Sequence, residues 1–144
     1  MNEKKIRIVA ALMTAALAGW SLLSAQGGGF RFNGALARFI TPNGDLRNDY
    51  AIFCLENPAD SGVEAKIFSM TGSLVSTMSG KRPLTAPPPG GVGNVSCPAG
   101  VFPGSAQFVF WDGKAGGSAV RSGVYVYQIK AEGLAFTGTL VVVR

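Results

Sequence analysis

Hydrophobic and polar residues alternate along much of the chain after residue 37. The alternation is clearest from Val63 to Met70, where Ala65 and Ile67 fall on one side and charged residues fall between them on the other. A period of two places successive side chains on opposite faces of a strand. This pattern and the intervening turn residues predict seven strands, at Arg38–Ile40, Tyr50–Leu55, Val63–Met70, Leu74–Met78, Gln107–Trp111, Gly123–Ala131 and Leu134–Val143. We therefore predict an all-β, antiparallel sandwich.

One long segment, Ser79–Ala106, interrupts this rhythm. It contains six of the chain's eight prolines and six of its 20 glycines. Proline cannot donate a hydrogen bond to a sheet, and glycine has no side chain to pack, so this composition predicts a loop. A loop of this length inside a compact domain is usually functional or mobile. We predict a sandwich over 37–144 that carries an insertion at 79–106.

The first 25 residues have the pattern of a leader. Lys4, Lys5 and Arg7 precede an apolar run from Ile8 to Leu23, and Ala25 follows it. A basic start, an apolar stretch and a small-residue exit are typical of a secretory signal peptide. We predict a signal-peptide helix at 1–25, a Gly-rich tether at 26–36, and a periplasmic, cell-surface or secreted protein.

The same apolar run allows one alternative to cleavage. Its uncharged stretch just reaches the length that crosses a bilayer core of about 30 Å, so the leader would then remain as a membrane anchor. Its alanine, glycine and serine content makes it a weak anchor. We prefer cleavage, after which no membrane span is expected.

The two cysteines, Cys54 and Cys97, define the expected redox chemistry. An exported chain with a lone pair of cysteines usually forms one disulfide, which here would tie the insertion to the sandwich. The chain contains no histidine. This excludes Ser-His-Asp and Cys-His catalysis and any histidine-based zinc site within one chain. We expect a structural disulfide and no enzymatic activity.

The charge of the chain argues against nucleic acid as a partner. The 144 residues carry a formal net charge of +5, which falls to +3 when the leader is removed with its three basic residues and one acidic residue. The remaining basic residues are scattered singly, apart from the pair Lys81-Arg82. Nucleic-acid binding proteins usually cluster such residues on one face. We expect no nucleic-acid partner.

One turn offers a candidate ion site. Asn43, Asp45, Asn48 and Asp49 carry oxygen atoms of the kind that bind Ca²⁺. Their spacing lacks the downstream glutamate of an EF-hand loop. Asn and Asp side chains also cap turns by accepting hydrogen bonds from backbone N–H groups, without any metal. Both interpretations stay open, with turn capping preferred and no other cofactor expected.

Several short motifs occur in an order that resembles a known domain. They are Thr41–Asp45 with Asn48-Asp49, Val63–Phe68, Thr71–Val75, Trp111-Asp112-Gly113, Ser122–Tyr127 with Gly123 and Tyr125, and Leu140–Arg144. Together they resemble the C-terminal Ig-like domain of FlgD-like proteins and of gliding-motility-associated or type IX secretion cargo proteins. The resemblance covers about residues 37–144. It implies an Ig-like antiparallel β-sandwich of about seven strands, without catalysis.

Three classes of function are compatible with this sequence. The preferred one is an exported, non-enzymatic structural or protein-binding module of the bacterial envelope or exterior, with a protein partner. The alternative is a cargo-sorting or assembly domain, similar to a hook cap, of a secretion or motility system. A small hydrolase is disfavoured, because a sandwich of this size leaves little room for two carboxylates facing across a cleft. In each case we expect Trp111 in the core, Asp112-Gly113 in a turn, and Tyr125 packed against the sheet.

Overall fold

The structure, a computed structural model, describes residues 29–86, 95–98 and 104–144. Within these ranges the chain forms strands and no helix, so no helix there is long and apolar enough to cross a bilayer. The predicted leader lies outside the described residues. The strands are β1 (Arg31–Ala35), β2 (Phe39–Ile40), β3 (Ala51–Glu56), β4 (Glu64–Ser69), β5 (Leu74–Thr77), β6 (Arg82–Pro83), β7 (Ala106–Trp111), β8 (Lys114–Ala115), β9 (Ser118–Ala119), β10 (Gly123–Ala131) and β11 (Leu134–Val142).

Nine of these strands form two sheets that enclose the main core, and β8 and β9 form a separate two-stranded sheet. The four-stranded sheet has the order β1-β3-β7-β6, and the five-stranded sheet has the order β2-β11-β10-β4-β5. Every pairing is antiparallel except that of β2 with β11. An Ig-like sandwich likewise places its first, second, fifth and fourth strands opposite a sheet built on its third, sixth and seventh. The predicted all-β sandwich is confirmed.

The core follows from the alternation that the sequence shows. On β3, Ala51, Phe53 and Leu55 point between the sheets and are fully buried. On β10, Tyr127 and Ile129 do the same from the opposite sheet, and the Phe53 and Tyr127 ring centroids lie 4.7 Å apart. Burying a side chain such as Phe53 stabilises the fold by about 1.5–3 kcal/mol.

The sandwich begins earlier than the sequence predicted. Strand β1 lies within the range 26–36 that we predicted as a tether, and it pairs with β3. Phe30 is buried, and its ring centroid lies 5.9 Å from that of Phe136. The alternation of Phe30 and Phe32 with polar residues is the strand signal, which the preceding run of glycines obscures.

The chain changes sheets immediately before the insertion. Met78 is still buried in the main core after β5. The next residue, Ser79, donates its N–H to the Phe110 carbonyl of the opposite sheet at 2.9 Å, and its Oγ accepts from the Phe110 N–H at 2.9 Å. The insertion therefore starts at the edge of the four-stranded sheet, where β6 pairs with β7.

Candidate functional site

Described residues of the insertion pack on the outer face of the four-stranded sheet. Since Phe53 and Leu55 point inward, Cys54 of β3 points outward, where an antiparallel sheet commonly meets water. Cys54 and its neighbour Phe108 are nevertheless fully buried. They form a second apolar cluster, the outer cluster, which consists of Cys54, Cys97 and Phe108 with the partly buried Ile52, Leu84, Val95 and Phe110.

A disulfide holds the insertion onto this face. Cys54 and Cys97 are bonded, with Cα atoms 5.5 Å apart and a separation of 43 positions in sequence. The predicted bond is confirmed in the structure. Cys97 and Val95 enter the outer cluster from one part of the insertion, and Leu84 enters from another. The disulfide therefore fixes the insertion at Cys97, inside its sequence rather than at either end.

Polar contacts bring the two ends of the insertion together. Near its start, Lys81 Nζ donates to Asp60 Oδ1 at 2.6 Å. Just after its end, Gln107 Nε2 donates to the same oxygen at 2.9 Å, and Gln107 Oε1 accepts from Asn57 Nδ2 at 3.1 Å. Asn57 is itself buried. Both ends are thus bonded to the turn after β3, which fixes where the insertion leaves and rejoins the sheet.

Hydrogen bonds within the fold lower the pKa of two carboxyl groups, those of Asp60 and Glu132. The hydrogen bond from Lys81 has the largest effect and that from Gln107 the next largest, and both lower the pKa of Asp60 below its usual value. Glu132 accepts the Phe30 N–H at 2.9 Å and the Ser61 hydroxyl at 2.6 Å. These two bonds lower the pKa of Glu132 and attach the start of β1 and the turn after β3 to the turn between β10 and β11. Both groups therefore serve the fold.

The insertion and the sheet present an apolar and cationic surface. The Arg82 guanidinium carbon lies 5.1 Å from the centroid of the Phe110 ring, and Tyr50 meets the same ring edge-on with centroids 5.8 Å apart. Arg82 is exposed, while Leu84, Val95 and Phe110 are partly exposed. We call Arg82, Leu84, Val95 and Phe110 the platform. Arginine and aromatic side chains are the types enriched in the strongest contacts of protein interfaces.

The turn with the candidate calcium ligands is held by its own backbone. Asp49 is only 6% exposed. Its Oδ1 accepts the N–H groups of Asn43 and Gly44, and its Oδ2 accepts that of Leu46, at 2.7–2.9 Å. The Asn43 side chain in turn accepts the N–H of Asp45 at 3.0 Å. Both oxygens of the buried carboxylate are therefore occupied by N–H donors.

This geometry favours turn capping over a calcium site. Asn48 takes part through its backbone, since its carbonyl accepts the Thr41 N–H at 2.8 Å and its φ is 53°. In the ranges that the structure describes, no three His, Cys, Asp or Glu side chains are grouped so as to hold a metal. Burial opposes ionisation of Asp49, but the bonds from Gly44, Leu46 and Asn43 outweigh it and lower the pKa of this carboxyl.

Replacing Asp49 by asparagine is expected to reduce the free energy of unfolding at pH 7 by about 2 kcal/mol, because hydrogen bonds to charged groups contribute about 1.5–3 kcal/mol. Folding lowers the pKa of this group. Its contribution is therefore present above the unfolded-state pKa of about 3.9, and is lost as the pH falls through the lower folded-state pKa. Urea titrations at several pH values test this.

The difference between wild type and D49N should shrink as the pH falls below about 4. Asp45 supplies the control, because it is exposed and accepts only one backbone N–H from the described residues, that of Arg47, so D45N should cost clearly less than D49N at pH 7. A loss in D49N that is the same at pH 3 and pH 7 would show that ionised Asp49 does not hold the turn.

The residues of the Trp-Asp-Gly motif form a tight corner after β7. Trp111 is 2% exposed, and its Nε1 donates to the Lys114 carbonyl at 2.8 Å. Asp112 Oδ1 accepts the Lys114 N–H at 3.0 Å. Gly113 has a φ of 70°, and a Cβ there would lie 2.8 Å from Pro42 Cγ. The close approach and the left-handed backbone both require glycine at this position.

Tyr125 forms a second structural corner. It lies near the start of β10, and its hydroxyl donates to the Arg121 carbonyl four residues earlier at 2.8 Å. A tyrosine in this position and with this bond is a recurring feature of Ig-like sandwiches. Its ring also packs edge-on against Trp111, with centroids 5.6 Å apart. Gly123 begins β10 opposite Val142. The motif residues therefore lie in the fold, away from the platform.

Comparison with known proteins finds no relative of this chain. No family model matches it, and no curated protein or solved structure is significantly similar to it. The resemblance to the C-terminal Ig-like domain of FlgD-like proteins therefore remains a prediction.

The sequence did not indicate the polar contacts that bring the two ends of the insertion together. Asp60 lies between the second and third predicted strands, and Lys81 was noted only as one member of a basic pair. The two lie 21 residues apart, with no motif or spacing that marks them as a pair. The pairing arises because the sheet places the turn after β3 beside the start of β6.

Proposed function

We propose that this chain is an exported, non-enzymatic Ig-like module that binds another protein through the platform. The observation that carries the proposal is the outer cluster. An antiparallel sheet can leave one face in water at no cost to its core, so the fold does not require this face to be covered. The chain nevertheless holds the insertion there with a disulfide, with the outer cluster, and with the polar contacts that Lys81 and Gln107 make with Asp60.

A segment held in this way suits recognition. Fixing a loop before it meets its partner lowers the entropy that binding must overcome. Prolines in the insertion add to this effect, because their backbone is already restricted. Loops carried on a rigid scaffold are also the commonest place for binding residues. The disulfide supports an oxidising compartment, in agreement with export.

The platform is tested by reversing its charge. Purification of the tagged protein after crosslinking in the cell, followed by mass spectrometry, identifies the bound protein. Replacing Arg82 by glutamate should reduce recovery of that protein at least about tenfold, since central arginines are among the strongest interface contacts. Arg121 is an exposed arginine on another loop, and R121E is the matched control that should leave recovery unchanged.

A second variant keeps the outer cluster and replaces the part of the insertion between Leu84 and Val95. Residues 85–94 are replaced by a Gly-Ser linker of equal length, which retains Leu84, Val95 and the disulfide. The thermal transition and the partner recovery should both stay close to those of wild type, because Arg82, Leu84, Val95 and Phe110 are all retained. If R82E recovers the partner at wild-type levels, or if the linker variant loses it, the platform is not the binding surface.

A further inference from the structure

The edges of the two sheets differ in how well they are protected against pairing with another strand. Exposed edges are usually shortened, bulged, charged or broken by proline. Strand β6 has only two residues, one of them Pro83. Strand β1 carries Arg31 and a register shift between Phe32 and Gly34. Strand β5 has four residues and a register shift against β4.

Strand β11 has none of these features. All nine of its residues pair with β10 without a register shift. On its other side only Val141 and Val142 pair with β2. Among the residues that the structure describes, no strand pairs with the Leu134–Leu140 edge. This stretch also contains no charged residue and no proline.

The backbone of this stretch is oriented for pairing. Val141 donates its N–H to the carbonyl of Arg38, the residue just before β2, rather than to β10. Because a strand alternates with a period of two, the N–H groups of Ala135, Thr137 and Thr139 point away from β10 as well. The side chains of these three residues are exposed. An incoming strand would meet free donors and acceptors together with small or β-branched side chains.

We propose that the partner of this edge is a second copy of the same edge, paired antiparallel with Thr137 opposite Thr137. The argument is one of charge. The chain as a whole carries a net positive charge, which opposes self-association, whereas this segment is neutral over its full length and adds no repulsion when it meets a second copy. Pairing it with itself places threonine opposite threonine and alanine opposite Thr139, and cross-strand threonine pairs are favourable. Because the contact is two-fold symmetric, it uses the same edge on both copies and forms a closed dimer. It joins the five-stranded sheets of the two copies.

This inference does not rest on the proposed function, because β11 and the platform belong to different sheets. Sedimentation velocity of the purified protein from about 1 µM to about 1 mM measures self-association. The wild type should shift from monomer to dimer. Thr137 is exposed, so Lys or Glu there is compatible with the monomer fold, and thermal melts confirm this for each variant. T137K alone and T137E alone should remain monomeric, because like charges then face each other.

Mixing T137K with T137E should restore the dimer, since opposite charges then meet at the two-fold axis. T137V keeps the neutral, β-branched side chain and is the control that should dimerise like wild type. The proposal is overturned by a wild type that stays monomeric throughout. It is equally overturned by a dimer that T137K does not weaken, or by a mixture that does not restore it. If the edge instead binds a strand of another protein, the purified wild type stays monomeric, and this result also overturns the proposal.

Discussion

Replacing Trp111 by alanine is expected to lower the free energy of unfolding by about 3–5 kcal/mol, the cost typical of removing a large buried aromatic side chain. Trp111 is 2% exposed and lies between the two sheets. Its ring packs against Tyr125, and its Nε1 donates to the Lys114 carbonyl. Alanine would leave a cavity and an unpartnered carbonyl. Urea-induced unfolding followed by circular dichroism measures the change.

Trp111→Phe is the matched control for this substitution. Phenylalanine keeps much of the buried volume and loses only the hydrogen bond and part of the packing, so its effect should be clearly smaller than that of alanine. A loss below about 1 kcal/mol for Trp111→Ala is the size typical of a surface site. Such a result would contradict the central position of this side chain in the core.

Removing the disulfide is expected to have an effect of similar size. A bond that closes a loop of 43 residues contributes about 4 kcal/mol in the chain-entropy estimate. In the double variant C54A/C97A, the unfolded chain regains this freedom, while the outer cluster loses only two sulfur atoms. The melting temperature and the urea midpoint should both fall substantially.

Chemical reduction of the wild type supplies the control for the double variant. Reduced wild type and C54A/C97A should unfold at similar urea concentrations, because both lack the cross-link and keep the other contacts. A double variant as stable as the oxidised wild type would show that the bond does not stabilise the fold. The insertion would then be held only by the outer cluster and by the polar contacts that Lys81 and Gln107 make with Asp60.

Much of the fold was predictable because one face of each long strand is buried. Alternation and the turn residues between apolar stretches together predicted seven strands, and β10 lies where the sequence placed it, at Gly123–Ala131. The disulfide was predictable because the chain has only two cysteines. Strand β1 was missed because its alternation begins directly after three glycines, which indicate a flexible segment when they are considered alone.

The platform could not be predicted from the sequence. It depends on which side of the four-stranded sheet the insertion covers, and this is decided by the outward direction of Cys54 on β3. That direction follows from the register of a strand whose six residues are nearly all buried, so hydrophobic alternation does not reveal it. The contact of Arg82 with Phe110 joins residues 28 positions apart through the pairing of β6 with β7. Such contacts are set by topology, which composition does not encode.

The central claim is that the protein is exported and that a disulfide fixes its insertion to the sandwich. Intact-mass measurement of the protein isolated from the cell under native conditions, with thiols blocked before any reduction, tests both parts together. We predict a chain that begins near Gln26, carries no blocking group and weighs two hydrogen atoms less than its reduced form. A chain that retains Met1 would contradict export with leader cleavage, and a blocking group on both Cys54 and Cys97 would contradict the disulfide.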